Sequence, residues 1–407
     1  MASLAAAGAR LSAWFGLSRP FALFLGGMAI SKLGDALYMF ALPWIAFEMT
    51  ASPVVMSTLY ATEILPILFF GALAGAFADG MDRRKLMLWS DAIRAVIVAA
   101  IPLLHLMGAL QLWHLYAAAF SLSLVSLAFD VTTTAVIPEL AGGELTRANA
   151  AFQMINQAGS MAGPALAGLV IAAVGGFNAL WLNALSFGGT FLSILILPSF
   201  SLKPLGLTVR GVLAGIADGF RWLWSHPVIR VLSLQAMTGN FGFGMVSAVL
   251  MYYLRSTLGL SAELAGLDYA MLGVGGLSGS IAIVPLSRRF RRGVLYPAIL
   301  TFGMIGLLLM AGLRTWWAPG LGFGMVSACN IAWVVLSTSV RQELIPGALM
   351  GRVLAFSRIL STAAMPLGAA LGGFLTQSFD PALIFLLAAA TKGLEILIAR
   401  FSAMWAL

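Results

Sequence analysis

Acidic and basic side chains are scarce in this sequence, and those inside its apolar runs need a chemical reason to be there. Asp35 follows Lys32 by three residues, one helical turn along an apolar stretch. Apolar surroundings favour the protonated form of a carboxylate, while a cation beside it favours the ionised form, so such a pair can exchange a proton. It can equally stand as a static ion pair, and the sequence leaves both readings open. Glu63 lies three residues before Pro66 with no cation adjacent in sequence. It is a second candidate for binding a proton or a cationic cargo, against a satisfied packing role. Lys392 and Glu395 repeat the three-residue spacing, and an intrahelical pair is the simplest reading there. Asp268 is expected near the end of a span, in water. Gln153, Asn156, Gln157, Asn183, Gln235, Asn240 and Asn330 could line a cavity or hydrogen-bond between helices.

The elements that must position these residues follow from composition. The 407 residues are 61% hydrophobic and only 9% charged, with a mean hydropathy of +0.98. A span of the ~30 Å hydrocarbon core takes about 20 apolar residues in a helix. The apolar runs reach that length and lack the alternation of barrel strands, so the fold class is an all-α polytopic membrane protein. Twelve transmembrane helices are expected at 20–48, 53–78, 86–107, 113–137, 147–175, 178–199, 229–256, 262–287, 293–313, 317–340, 352–377 and 381–402. The first residues, with Arg10, Arg19, Trp14 and Phe15, read as a short cytoplasmic leader.

Charge sets the expected orientation. Arg83, Arg84 and Lys85 arrive together after Gly75 and Asp79 in a hairpin between two apolar runs. Arg94, Arg147, Arg288, Arg289, Arg291, Arg292, Arg341, Arg352, Arg358 and Arg400 are counted on the same side, with only Arg255 and Arg314 opposite. The positive-inside rule then puts both termini in the cytoplasm. Asp130, near the cytoplasmic end of the fourth span and close in depth to Arg83 and Arg94, is expected to act as a salt-bridge latch. Asp79 could accept hydrogen bonds from the start of the eleventh span near Gly351 and Arg352, where a helix dipole favours a carboxylate. These residues, with Arg358, make up an expected cytoplasmic gate.

The chain repeats itself. Glu139-Leu140, Gly143 and Phe152 recur at a constant offset as Glu343-Leu344, Gly347 and Phe356, and Arg83-Arg84-Lys85 is echoed by the basic run 288–292. Residues 201–228 separate the copies and contain an amphipathic stretch, 209–224, expected to lie on the cytoplasmic surface. The expected organisation is two pseudo-symmetric six-helix bundles, 1–200 and 229–407, joined by the linker 201–228. The string GFGMVSA also occurs twice, at 242–248 and 322–328.

Together these features resemble the major facilitator superfamily over essentially the whole chain. The hairpin 75–85 resembles the signature between the family's second and third helices, with Gly80 where a cation is usual and Asp82 where glycine is usual. Segments 31–37, 41–44, 82–88 and 138–149 resemble the branch containing enterobactin and macrolide exporters. On the fifth span, Gly159, Gly163, Pro164 and Gly168 fall in a stretch similar to the antiporter signature of the superfamily's exporters, although tight helix packing explains the glycines as well. The resemblance also implies a latch role for Asp130.

The function implied is a secondary active transporter of the bacterial inner membrane, working by alternating access and exporting small amphipathic molecules such as drugs or siderophores in exchange for protons. An importer or facilitator on the same fold is the alternative, and an intramembrane enzyme a remote one. No phosphate-binding G-x-x-x-x-G-K-[ST] loop occurs, and His105, His114 and His226 have no metal-ligand spacing. The single cysteine, Cys329, reads as a small apolar packing residue. The expected partners are a small-molecule substrate, protons and the lipid bilayer. No nucleic acid, cofactor, metal or catalytic residue is expected, and the protein is expected to be a monomer.

Overall fold

The computed structural model describes residues 18–79, 81–141, 144–198 and 209–400. These form helices α1 (Arg19–Thr50), α2 (Pro53–Asp79), α3 (Arg83–Leu106), α4 (Leu112–Leu140), α5 (Leu145–Val174), α6 (Gly176–Leu195), α7 (Val209–Ser225), α8 (Pro227–Tyr252), α9 (Ala262–Arg289), α10 (Arg292–Gly312), α11 (Ala318–Leu344), α12 (Gly347–Thr376) and α13 (Pro381–Arg400). Each expected span corresponds to one of the long helices, with ends displaced by a few residues. Eleven of the described helices are long and apolar enough to cross a bilayer. The remaining long one, α8, is made more polar by Gln235, Thr238 and Asn240 and runs into a π-helical turn, Tyr253–Thr257.

Local chemistry sets several helix ends. Asp82 is the N-cap of α3, its side chain accepting a 3.1 Å hydrogen bond from the backbone N–H of Lys85. That accounts for a carboxylate where the superfamily usually has glycine. At the other end of α6, Arg84 donates to the carbonyls of Ile194 and Leu195 at 3.2 and 2.5 Å, satisfying acceptors that a helix terminus leaves open. Between α5 and α6 a single residue, Gly175, makes the turn with φ of 85°, a conformation that favours glycine.

By packing, the chain divides into two compact units: Met1–Ile45 with Phe69–Val209, and Ala46–Leu68 with Arg210–Leu407. In the first, Phe21, Phe24, Leu25 and Met28 of α1 are buried with Phe129 and Val136 of α4, Ile155 of α5 and Ile194 of α6. Glycines of the fifth span carry the α1–α5 crossing. A Cβ on Gly159 would stand 3.3 Å from that of Lys32, and one on Gly163 would overlap Ala36. In the second unit, α8 crosses α12 in the same way, with Gly244 against the Met365 carbonyl and Gly368 against that of Phe241. Both copies of GFGMVSA serve such contacts, Gly242 meeting Thr391 and Gly322 meeting Gly306 and Met310. The first half of α2 belongs to this unit, with Ser57 against Gly373. Phe47, from the end of α1, lies 6.1 Å from Tyr252 edge to face.

Helix α7 matches the expected amphipathic stretch, but part of its apolar face is buried in protein. Leu223 joins the core with Ile229, Leu232, Leu295, Val340 and Val353, and Phe220 lies 5.1 Å from the Phe356 ring. Complete burial of a leucine is worth about 1.5–3 kcal/mol, enough to hold a short helix on its bundle.

Candidate functional site

In the first unit the charged residues of the spans gather on α1, α3 and α4. Lys32 Nζ stands 3.4 Å from Asp35 Oδ2 and 4.0 Å from Asp130 Oδ1, so one cation serves two carboxylates. The three side chains are partly accessible, Asp130 most of all at 60%. Gly159 sits directly on Lys32, so the motif of the fifth span and the charged face of α1 form one structure.

Of the two cations expected close to Asp130, Arg94 lies within electrostatic reach of it while Arg83 is engaged elsewhere. Arg83 pairs with Glu139 and also donates to the Ala135 carbonyl at 3.4 Å, tying the start of α3 to the end of α4. Arg94 falls inside the third span, as expected from the sequence. It lies inside α3, 2% exposed, paired with Asp91 one turn earlier. Its guanidinium is sandwiched between the rings of Phe129 and Phe187, at 4.1 and 4.6 Å. Asp91 was missed in the sequence. Its three-residue spacing to Arg94, shared by Lys32–Asp35 and Lys392–Glu395, was the available signal.

The remaining gate residues divide as follows. Gly75 and Asp79 lie in the last turns of α2, and the surroundings of both lie outside the described structure. Gly351 and Arg352 lie a full turn inside α12, whose first residue is Gly347, so they do not offer the free N–H groups of a helix start. Arg352 faces Asp218 of α7 at 3.3 Å, and a Cβ on Gly219 would overlap the Arg352 carbonyl. Lys85 is exposed at the start of α3.

In the second unit, the cytoplasmic gate candidate Arg358 and the polar candidates Asn240 and Asn330 come together around a cavity of about 420 Å³. Lys392 and Glu395, both buried, are part of its lining. Lys392 Nζ lies 3.0 Å from Glu395 Oε1 and donates to Asn330 Oδ1 at 3.3 Å. Gln235 Nε2 donates to the Glu395 carbonyl at 2.9 Å, and Asn240 Nδ2 to that of Ser361 at 3.0 Å. Phe243, Trp333, Val334 and Met365 supply apolar wall, and Arg341 completes the lining. Most of the lining comes from those halves of α8, α11, α12 and α13 that contain Arg230, Arg341, Arg352 and Arg400, with Asn240, Phe243, Asn330 and Met365 just beyond mid-helix. Drug-sized ligands occupy cavities of this size, with a mostly apolar wall and a few placed polar groups.

Other candidates are not brought to either place. Glu63 is half-buried on α2, in the part grouped with the second unit. On α5, Gln153 is exposed and Asn156 and Gln157 are half-buried, whereas Pro164 lies within the helix and Gly163 and Gly168 are buried. Asn183 is buried and bonded to Ser186. Asp268, expected in water, is 3% exposed and packed against Gly320, because α9 turns that face toward α11. No group of histidine, cysteine and acidic residues among the described residues is arranged to hold a metal ion.

Comparison with known proteins covers nearly the whole chain. A sequence profile of the transmembrane secretion effector family matches residues 12–405. The multidrug efflux pump Tap of Mycolicibacterium fortuitum is 28% identical over 373 residues, spanning 88% of this chain and 90% of the relative. The enterobactin exporter EntS of Escherichia coli O1:K1 / APEC is 28% identical over 331 residues, 77% and 75% of the two chains. Among solved structures, a bacterial homologue of the iron transporter ferroportin in its inward-facing state superposes with a TM-score of 0.74 at 19% identity, covering 95% of this chain and 98% of the other. The nucleoside transporter NupG gives a TM-score of 0.70 at 15% identity, covering 92% and 97%.

Proposed function

The chain belongs to the transmembrane secretion effector family of the major facilitator superfamily, and from that premise we propose that it is a proton-coupled exporter of small amphipathic molecules. It is a multi-pass membrane transporter and not an enzyme. In this reading it works as a monomer in the bacterial inner membrane, with both termini in the cytoplasm. Cargo is released on the far side by alternating access. The basic helix ends favour that orientation, and the efflux pump and the enterobactin exporter to which the chain is similar favour the outward direction.

The observation that carries the reading is the cavity of the second unit, where aromatic wall stands beside a buried Lys392–Glu395 pair. Such a lining suits a molecule with one apolar and one polar part. The antiported proton is assigned to the cluster around Lys32. With both carboxylates ionised, Lys32 is shared between Asp35 and Asp130. Protonation of one leaves Lys32 to the other, which changes the charge on the face of α1 that carries α5 through Gly159. Glu63 is the second proton candidate. Arg83, Arg84, Lys85 and Asp130, with Gly75 and Asp79, are assigned to the cytoplasmic gate. Purified protein in liposomes tests the reading. An imposed pH gradient is expected to drive movement of an amphipathic dye unaltered, and dye movement indifferent to the gradient would refute proton coupling.

A further inference from the structure

The cavity of the second unit contains more positive charge than its own side chains neutralise. Glu395 is the one carboxylate in its lining, and Lys392 already holds it at 3.0 Å. Arg341 and Arg358 remain, and neither has an acidic partner within ion-pair distance among the described residues. Arg341 is more than a nearby charge. Its Nε and Nη2 are buried without a hydrogen-bond partner among the described residues, and the same holds for Nε1 of Trp333, whose ring lies 5.8 Å from the guanidinium. Arg341 as a whole is half-buried, but buried polar atoms are nearly always partnered, and a buried donor without an acceptor is costly.

We infer that the occupant of this cavity is an anion: a flat aromatic molecule carrying a carboxylate, sulfonate or acidic phenol. This inference rests on reading the cavity as the cargo site and names the class of cargo. The acid group takes the fork of Arg341 N–H donors, whose planar geometry matches two oxygens of one group, together with the indole N–H of Trp333. The ring system lies along Phe243 and Trp333. Arg358, exposed in the lining, adds long-range attraction without a fixed contact. A cationic molecule of the same shape would meet two guanidinium groups of its own sign, a repulsion that separates the two classes.

Two xanthene dyes of matched shape, anionic fluorescein and cationic rhodamine 123, test this by equilibrium fluorescence anisotropy on the full chain in detergent, against empty micelles. Fluorescein is expected to bind about tenfold more tightly or better than rhodamine 123, a difference the size of one charge-assisted hydrogen bond. Arg341→Gln is expected to raise the fluorescein Kd about tenfold and to lower that of rhodamine 123 by relieving its repulsion, with Arg341→Lys between for fluorescein. Arg358→Gln is expected to weaken fluorescein less, by an amount that shrinks in high salt; it carries the same comparison if Arg341→Gln does not fold. Rhodamine 123 bound as tightly as fluorescein, neither dye bound, or fluorescein indifferent to both glutamine variants would overturn the inference. In liposomes the two levels separate. Rhodamine 123 exported under a pH gradient, with fluorescein left behind, overturns the anionic class and leaves export standing. Fluorescein bound through Arg341 but moved by no gradient supports the class and refutes export.

Discussion

Arg292, the first residue of α10, holds Glu343 near the end of α11 through two hydrogen bonds of 2.6 and 2.5 Å. Arg83, the first residue of α3, pairs with Glu139 near the end of α4 at the matching place, through its Nη1. The duplicated glutamates and basic runs of the sequence are therefore the two ends of one ion pair, made once in each unit. Glu343 is 53% exposed and Glu139 34%, so solvent screens both. Glu343→Gln and Glu139→Gln are each expected to cost about 1 kcal/mol or less. The charge reversal Arg292→Glu with Glu343→Arg is expected to restore most of the loss. Thermal unfolding in detergent measures both.

The pair inside α3 is a different case. Arg94 and Asp91 are both buried, so removing one charge strands the other. Asp91→Asn is expected to destabilise by about 3–5 kcal/mol. The apolar double variant Asp91→Leu with Arg94→Met is expected to recover much of that, since two desolvation penalties disappear together. Comparison of the single and double variants by thermal unfolding checks it, and equal losses in both would contradict the stranded-charge explanation.

Glycine in the fifth span is tested by what a side chain would strike. Gly163→Val meets Ala36 across the α1–α5 crossing and is expected to cost about 1–3 kcal/mol and to impair transport. Gly188→Ala on α6 meets nothing within 4 Å and is expected to be silent. Transport rate and thermal stability of the two variants, measured side by side, decide between a packing role and a merely compositional one.

Asp82 caps α3 where the superfamily usually has glycine. Asp82→Ala is expected to cost about 0.5–2 kcal/mol, and Asp82→Ser a fraction of that. Equal losses from the two variants in thermal unfolding would show that the carboxylate acts through something other than the cap.

The spans and the amphipathic helix were legible in the sequence because each rests on a local pattern, an apolar run or a helical periodicity; the compact units depart from the expected halves, since Ala46–Leu68 packs with Arg210–Leu407. The site was only half legible. Lys32, Asp35 and Asp130 could be picked out as charges in costly places, but which cation serves Asp130 depends on how α1 packs on α4. Arg94 could be counted with the basic side of the chain, but only the three-dimensional fold reveals Asp91 beside it and Phe129 and Phe187 around it. The cavity of the second unit draws its lining from four helices far apart in sequence. No window of the chain contains it, so Trp333 and Arg341 had no local signal at all.

The most direct measurement is dye accumulation in liposomes carrying the wild-type protein or Asp35→Asn, before and after an imposed pH gradient is collapsed with a protonophore. Proton-coupled export requires accumulation by the wild type that vanishes with the gradient, and an Asp35→Asn protein that folds and binds dye but accumulates none. Full gradient-driven accumulation by Asp35→Asn, or wild-type accumulation that survives the protonophore, would contradict it.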